Sequence, residues 1–304
     1  MSVLRRWRGT AAFLVLAAGT LLAGGVCASA QARPPRAEVV SLGGGLHKVR
    51  VEWVNILALK GPEGTLLVDT GFPQAQKALE EQLERIGARE ARYIVNTHWH
   101  FDHTAGNGSL GKGAVILAHR SVLPLLSSGQ TLLGESHEAL PPEARPRLTF
   151  TGEVGLDLNG ERIRIVPLTG GHTDGDSVVL FERANVLFVG DVVFQGQFPF
   201  VDVDHGGSAL RLPEVLERVL DLAPPGARII PGHGKDLTAE EVRAYRAMLL
   251  QTIDVVRREW GRGQTPAQIQ EADVLKDWAA WDGSFTRKDW IDMVCRSLAE
   301  GPMP

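Results

Sequence analysis

Cysteine is nearly absent, with Cys27 and Cys295 the two examples in 304 residues. Cys27 lies in an N-terminal segment that we expect to be removed, so the mature chain keeps one thiol and forms no internal disulfide. Cys295 falls in an apolar helical pattern near the end of the chain. We therefore interpret it as a buried structural residue and not as a catalytic thiol.

No excess of positive charge is present either. Thirty-two Lys and Arg face 36 Asp and Glu, which gives a formal net charge of -4. Removal of Arg5, Arg6 and Arg8 with the N-terminal segment takes this value from -4 to -7. A mildly acidic surface provides no electrostatic case for nucleic-acid binding. The chain also contains no repeat and no low-complexity tract, so its composition is that of an ordinary globular protein.

The longest apolar run is too short to cross a membrane. It extends over residues 11–22, about a dozen residues, whereas a spanning helix needs about 20. Arginines precede this run, and Ala28-Ser29-Ala30 follows it in the small-x-small form of a cleavage site. We predict a signal peptide at residues 1–30, and hence a bacterial protein that is periplasmic or secreted and keeps no stable membrane insertion after cleavage.

The remaining pattern predicts two sheets with helices outside them, an α/β (α+β) fold. Alternating or continuous apolar runs separated by glycine turns predict strands from residue 37 onwards, and Asn159-Gly160 predicts a type I′ hairpin. Residues 74–87 read as an amphipathic helix, and residues 119–147 as irregular. We assign residues 37–236 to one domain and residues 237–304 to a C-terminal helical extension. In the extension, Thr238, Thr265 and Thr286 each precede an acidic or amide residue at the spacing of a capping box.

Histidines and acids cluster where strands are expected to end. HWHFDH occupies residues 98–103, and GHTDG, VLFVGD and PGHG follow downstream. Imidazole and carboxylate suit Zn, Fe or Mn. If the strand before HWHFDH continues into it, His98 and His100 point to the same side and can share a metal. Six to seven ligands exceed the four of a closed structural zinc and predict a two-metal centre. The predicted ligands are His98, His100, Asp102, His103, His172, Asp191 and His233.

Two cations held about 3.5–4 Å apart bind a shared water and make hydroxide available near neutral pH. The chemistry indicated is hydrolysis with metal-bound hydroxide as the nucleophile. No tyrosine, lysine or serine stands in a motif that would protonate the leaving group. We therefore assign that role to Asp102 or to a metal-bound water.

HWHFDH, GHTDG, GDVVF and PGHG, together with VDTG at residues 68–71, resemble the metallo-β-lactamase superfamily. The resemblance covers roughly residues 37–235 and implies an αββα sandwich with the metals at one edge, between the sheets. It implies two zinc ions per chain, with iron or manganese as open alternatives. The first would be held by His98, His100 and His172, the second by Asp102, His103 and His233, with Asp191 bridging. Asp69 would orient a ligand.

Within that superfamily, Asp191 stands where the zinc β-lactamases carry Cys or Ser, so the ligand set resembles that of glyoxalase II. The whole pattern is similar to exported metallohydrolases, some of them associated with quinoprotein systems. The predicted function is therefore zinc-dependent hydrolysis of an ester, thioester, lactone or amide in a small molecule. Two alternatives stay open: an oxidoreductase similar to the mononuclear-iron persulfide dioxygenases, and a non-catalytic metal-binding protein accessory to a periplasmic dehydrogenase. The sequence names no protein partner.

The segment between two ligand-bearing strand ends is expected to border the metals. In it, Phe194, Phe198 and Phe200 would form an apolar wall of the substrate pocket, and His205 a polar contact. Trp53, on an early strand, is assigned to the core as readily as to the pocket.

Overall fold

The structure, a computed structural model, describes residues 35–301. The predicted signal peptide at residues 1–30 lies outside the described residues. Between residues 35 and 301 no helix combines the length and the apolar character that crossing a membrane requires.

Seven strands form the first sheet, in the order β1-β2-β3-β4-β5-β6-β9. They are β1 (Ala37–Gly43), β2 (Leu46–Val51), β3 (Val54–Leu59), β4 (Thr65–Val68), β5 (Ala91–Val95), β6 (Val115–His119) and β9 (Leu148–Phe150). β1 to β4 pair antiparallel, and β4, β5, β6 and β9 pair parallel. Every residue of β3 and β4 is buried, because both faces of this part of the sheet are covered.

Five strands form the second sheet, in the order β10-β11-β12-β13-β14. They are β10 (Val154–Leu158), β11 (Glu161–Pro167), β12 (Ser177–Phe181), β13 (Val186–Gly190) and β14 (Arg228–Pro231). β13 and β14 pair parallel, and the other neighbours pair antiparallel. The turn between β10 and β11 has φ values of 53° at Asn159 and 76° at Gly160, as the predicted type I′ turn requires.

Residues 119–147 are more ordered than the sequence suggests. They contain helix α4 (Val122–Ser127), a hairpin of β7 (Gln130–Leu132) and β8 (Glu135–His137), and a 3-10 turn at Pro142–Ala144. The expectation of an irregular segment is therefore wrong here. The hairpin turns at Leu133 and Gly134, both with positive φ. Leucine rarely adopts this conformation. Leu133-Gly134 is therefore not one of the dipeptides, such as Asn-Gly, that predict a hairpin turn from sequence.

Helices cover the outer faces of both sheets. They are α1 (Gln76–Arg85), α2 (Phe101–Thr104), α3 (Asn107–Leu110), α5 (Leu212–Leu222), α6 (Ala239–Gly261), α7 (Pro266–Glu271) and α8 (Arg287–Glu300). Further 3-10 turns lie at Pro73–Ala75, Val203–His205 and Lys276–Trp281. Leu79 and Leu83 of α1 pack in one apolar cluster with residues of β2, β3 and β4. Another cluster joins the facing sides of the two sheets, and a third joins the second sheet to α5, α6 and α8. The layers are thus helix, sheet, sheet and helix, which confirms the expected αββα sandwich.

The C-terminal helices are present, and their starts follow the predicted capping chemistry. Thr238, Thr265 and Thr286 each accept a hydrogen bond from the backbone N–H three residues on, in complete capping boxes. α6 and α8 pack together, and Trp290 Nε1 donates to Thr252 Oγ1 at 2.9 Å. Cys295 is buried on α8, and burial raises the pKa of its thiol to about 11, so it is not a reactive thiolate. The proposed domain boundary after residue 236 stays a prediction.

Candidate metal centre

The predicted ligands meet at one edge of the sandwich, directly after strands. Residues 96–100 follow β5, Asp191 follows β13, and His233 follows β14. Because β13 and β14 are parallel neighbours, their carboxyl ends deliver Asp191 and His233 to the same place.

The strand does not continue into HWHFDH, in contrast to the simplest expectation. β5 ends at Val95, and α2 begins at Phe101. The backbone N–H of His103 donates to the carbonyl of His100 at 3.0 Å, which closes a tight turn. Therefore His98 and His100 converge through a loop, while Asp102 and His103 project from the first turn of a short helix.

Ligand-type atoms form two overlapping groups, each within 4.8 Å. The first group contains His98, His100, His172 and Asp191, and the second contains Asp102, His103, Asp191 and His233. His172 Nε2 lies 3.0 Å from His100 Nδ1. Asp191 Oδ2 lies 3.9 Å from His172 Nε2 and 3.0 Å from His233 Nε2. Asp191 is thus the residue that both groups share, as the sequence analysis expected.

Each of the five imidazoles is fixed by a partner on the nitrogen that faces away from the centre. His103 Nδ1 contacts Asp69 Oδ2 at 2.8 Å, and His100 Nε2 contacts Asp202 Oδ2 at 3.0 Å. His172 Nδ1 donates to the carbonyl of Phe200, and His233 Nδ1 donates to that of Trp53. His98 Nδ1 lies 3.0 Å from Thr97 Oγ1, whose proton is directed to Asp69. This pattern leaves the inner nitrogen of each ring as a lone-pair donor, which is how histidine binds a metal.

Two buried atoms at the centre lack a hydrogen-bond partner among the described residues. His98 Nε2 and Asp191 Oδ1 are buried and form no hydrogen bond. Unpaired buried polar atoms are costly. A cation between them would satisfy both, so the donor set fits divalent metal ions.

The electrostatics differ between the two groups. Burial, together with the neighbouring imidazoles, holds the pKa of His98 well below its usual value, and burial lowers that of His100. Burial also lowers the pKa of His233, but the carboxylates of Asp191 and Asp102 outweigh burial and raise that pKa to about 10. In turn, the imidazoles outweigh the effect of burial on Asp102 and Asp191 and hold both pKa values well below the usual range. His98 and His100 of the first group thus favour the neutral form, and the second group is strongly charged.

Asp69 lies where the sequence analysis placed an orienting acid. It follows β4, and its carboxylate accepts hydrogen bonds from Thr97 N and Thr97 Oγ1, each at 2.8 Å, besides contacting His103. Its φ is 63°, a left-handed conformation that is uncommon outside glycine. Because the carboxylate is fully buried and triply engaged, it fixes the loop that carries His98 and the ring of His103.

Two further acids near the centre were not singled out as ligand partners. Asp202 contacts His100 and also His205 Nδ1, at 2.9 Å. Asp176 accepts hydrogen bonds from the backbone N–H groups of His172 and Thr173. Asp176 stands within the GHTDGD run and orders the loop that carries His172, a role that the motif spacing could have indicated. Asp202 lies in the segment that was expected to border the metals, as a polar contact, but it stands outside every motif, so no local signal indicated its contact with His100.

A cavity of about 510 Å³ opens over the metal centre. Phe194 and Phe200 line it, in agreement with their expected position. Phe198 does not: it is fully buried and stacks with Trp290 at 6.3 Å, because its ring turns into the core beneath α8. His205 is also outside the lining, since its ring is held between Asp202 and Gln130. The expectation for these two residues is therefore corrected.

Other parts of the lining were missed. Trp53, assigned equally to core and pocket, lies in the wall and contacts the ring of His233 at 5.0 Å. Phe101, Leu132, Leu133 and Phe285 also line the cavity. Leu132 and Leu133 belong to the unexpected β7–β8 hairpin, and Phe285 to the C-terminal extension.

Comparison with known proteins agrees with this geometry. The family model of the metallo-beta-lactamase superfamily matches residues 50–233, which is more than half of the chain. The chain belongs to the metallo-beta-lactamase superfamily. The matched range contains all seven predicted metal ligands.

Its sequence relatives in this superfamily are named as hydrolases. A probable metallo-hydrolase of Methanocaldococcus jannaschii is 28% identical over 56% of this chain and 82% of that protein. A hydroxyacylglutathione hydrolase of Anaeromyxobacter dehalogenans is 30% identical over 55% of this chain and 56% of that protein. The acyl-coenzyme A thioesterase MBLAC2 of Homo sapiens is 25% identical over 66% of this chain and 82% of that protein. The chain is accordingly a metallo-hydrolase of this superfamily.

Solved structures show the same fold. A metallo-beta-lactamase from Pontibacter korlensis superposes with a TM-score of 0.58 at 19% identity, over 71% of this chain and 99% of its own. The sec-alkylsulfatase Pisa1 from Pseudomonas sp. superposes with a TM-score of 0.63 at 14% identity, over 87% of this chain and 50% of its own. At these identities the likeness establishes the fold alone.

Proposed function

We propose that this superfamily member is an exported hydrolase that uses two zinc ions to cleave an ester, thioester, lactone or amide bond of a small molecule. The observation that carries the proposal is the orientation of the five imidazoles. Each is anchored from behind, and each points its free nitrogen at one of two groups joined by Asp191. When bound, two divalent cations lower the pKa of a water and polarise the substrate carbonyl.

The chain's own residues supply orientation, apolar surroundings and proton transfer. Asp69 and Asp202 fix the rings of His103 and His100. Phe194 and Phe200 line the cavity beside the centre and give it apolar surface. Asp102 and Asp191 both line the cavity, and Asp102 is the one of these two carboxylates that the ligand groups do not share. We assign to it the proton released by the attacking water, which it returns to the leaving group as the carbonyl carbon's bond to that group breaks.

Metal content tests the proposal first. The mature protein is purified from a periplasm without added metal and measured by mass spectrometry. About two zinc ions per chain, with hydrolysis of lactones, thioesters or β-lactams that stops when a chelator is added, is the expected result. A single iron with oxygen uptake would assign the chain to the dioxygenase alternative. Metal without any turnover would favour the accessory role.

The role of Asp102 is tested separately. Asp102→Asn should lower kcat by about a hundredfold or more, the usual contribution of a positioned proton-transfer group. Metal content is measured on the same sample, because Asp102 is also a predicted ligand. A variant that keeps both metals and full turnover contradicts the assignment.

A further inference from the structure

The C-terminal extension contributes directly to the substrate cavity. Ser284 and Phe285 line it, in the segment between the last 3-10 turn and α8. Phe285 is 7% exposed, although the cavity opens beside it. The extension is therefore part of the site and not only a support for the sandwich.

This segment, residues 281–285, is fixed to the loop that carries Phe200. The backbone N–H of Phe198 donates to the carbonyl of Trp281 at 2.9 Å. The backbone N–H of Ser284 donates to Gln197 Oε1 at 2.7 Å. A Cβ on Gly283 would lie 2.7 Å from Gln197 Cβ, so only glycine permits this approach. These contacts join the two segments into one continuous wall of the cavity.

The other end of the segment is also held. Arg287 donates from its backbone to Asp282 Oδ1 at 2.6 Å and from Nε to Asp273 Oδ1 at 2.7 Å. Because Asp282 and Arg287 flank Phe285 in sequence, its backbone is fixed on both sides. The ring position is therefore set by the fold and not by a ligand.

Phe285 completes an aromatic wall next to the metal ligands. Its ring stacks on Phe200 at 5.1 Å with 17° between the planes, and meets Phe194 edge-on at 6.1 Å. Phe200 lies 5.8 Å from the ring of His172, and Phe194 lies 5.7 Å from it. A group bound beside the scissile carbonyl would therefore rest on this wall.

The rest of the lining is also poor in cations. Trp53, Leu132 and Leu133 add apolar surface, Gln195, Gln197 and Ser284 are neutral polar groups, and Glu135 adds a further acid. Among the described lining residues, Arg50 is the one Lys or Arg, and its Nε donates to the carbonyl of Glu52. A polyanionic group would find few partners here, whereas an apolar group would be desolvated at low cost.

We propose that residues 281–285, through Phe285, select substrates whose group next to the scissile carbonyl is apolar and uncharged, such as an aryl or a medium-length alkyl group. This selectivity rests on the proposed hydrolase function. It assigns to the C-terminal extension a specificity role within the site.

The test uses two matched series on the metal-loaded full chain. One series is the hydrolysis of the p-nitrophenyl esters of acetate, butyrate and hexanoate. The other is the binding of the free carboxylates acetate, butyrate and hexanoate, measured by calorimetry. Full burial of a methylene corresponds to about a fourfold gain in affinity. We expect kcat/KM and affinity to rise by up to this factor per methylene group in the wild type, and by less than about twofold in Phe285→Ala.

Control variants separate the wall from general effects. Phe285→Leu keeps most of the apolar volume and should keep most of the gain in kcat/KM and affinity per methylene group. Gln197→Ala leaves Phe285 in the chain but removes the partner of Ser284, and should flatten both series. This second variant also serves if Phe285→Ala does not fold. Leu250→Ala, at an exposed position of α6, should change neither series.

The outcomes distinguish the two proposals. Esters hydrolysed at equal efficiency whatever their length, or an unchanged gain per methylene in both Phe285→Ala and Gln197→Ala, would overturn the selectivity and leave the hydrolase function standing. Carboxylates that bind with the expected gain, with no ester or thioester hydrolysed, would overturn the hydrolase function and leave the apolar selectivity standing.

Discussion

The two ligand groups of the metal centre are built from the same residue types, but they differ in charge. The first consists of three imidazoles with the shared Asp191, and the pKa values of His98 and His100 are lowered. The second adds Asp102, and its imidazoles have raised pKa values. Asp102 and His233 of the second group line the cavity, and so do His100 of the first group and the shared Asp191. The first group thus contains two imidazoles with lowered pKa values, and the second contains two imidazoles with raised pKa values and an additional carboxylate at the cavity.

Because of this difference, we expect the two groups to have different roles. Neutral imidazoles such as those of His98 and His100 accept a cation without displacing protons, so they are suited to hold a metal firmly. A site with two carboxylates and cavity access is suited to adjust its charge as substrate and product exchange. Asp191 couples the two, because its Oδ2 lies within 4.0 Å of histidine nitrogens from both groups.

Removal of Asp191 should produce the largest effect, since it disrupts both groups together. We expect Asp191→Ala to lower kcat/KM by at least about a thousandfold, as loss of metal-based stabilisation worth several kcal/mol implies. Metal content, measured by mass spectrometry on the same samples, should fall below that of any variant that disrupts one group alone. Asp157→Asn, an exposed acid on β10, is the matched control and should keep both activity and metal. An Asp191→Ala protein that retains two metals would contradict the shared role.

Much of this centre can be predicted from the sequence, because its ligands lie in short motifs with fixed spacing. HWHFDH brings four ligands within six residues, and strand-then-turn patterns place the other three at the same edge. The αββα layering could be predicted for a similar reason, because the spacing of apolar residues along each strand or helix is a local pattern. Even the three capping boxes could be predicted, since each depends on residues three positions apart.

The parts that could not be predicted depend on contacts between distant segments. Asp202 reaches His100 across 102 positions, and Phe285 reaches Phe200 across 85, and no motif contains Asp202, Phe285 or Phe200. Phe198 and Phe200 are two residues apart in one loop, yet only Phe200 lines the cavity. The fully buried Trp290 of α8 stacks on Phe198 and takes it into the core, and no local pattern encodes that choice. The β7–β8 hairpin was missed because its turn uses Leu133 in place of a typical turn residue.

The two orienting acids allow each group to be weakened by itself. Asp69 holds His103 of the second group, and Asp202 holds His100 of the first. Loss of such a partner typically costs about 10- to 100-fold in metal affinity. Asp69→Asn should therefore weaken the second metal, and Asp202→Asn the first, as measured by competition with a fluorescent chelator.

Asparagine is the sharpest substitution for this pair. It keeps the size of the side chain and removes its charge, and it tolerates the left-handed backbone at Asp69 better than most residues do. Any loss in Asp69→Asn then reflects the carboxylate and not the turn. If both variants weakened the same metal equivalent, the assignment of one acid to each group would be wrong.

The pH dependence of metal uptake should differ between the two groups, and this is the smallest of the expected effects. His98 and His100 have lowered pKa values, so near pH 7 they are already neutral and release no proton to a metal. His103 and His233 have raised pKa values, that of His233 about 10, so both hold a proton near pH 7 that a metal must displace. The sign follows directly: affinity of the second group rises with pH up to the raised pKa, by about tenfold per pH unit for each proton displaced. Titration of the metal-free chain in weak buffer should show the second equivalent releasing more protons than the first, up to about two from His103 and His233. Equal release by both equivalents would mean that the two groups share their protons, and the contrast in charge between them would disappear.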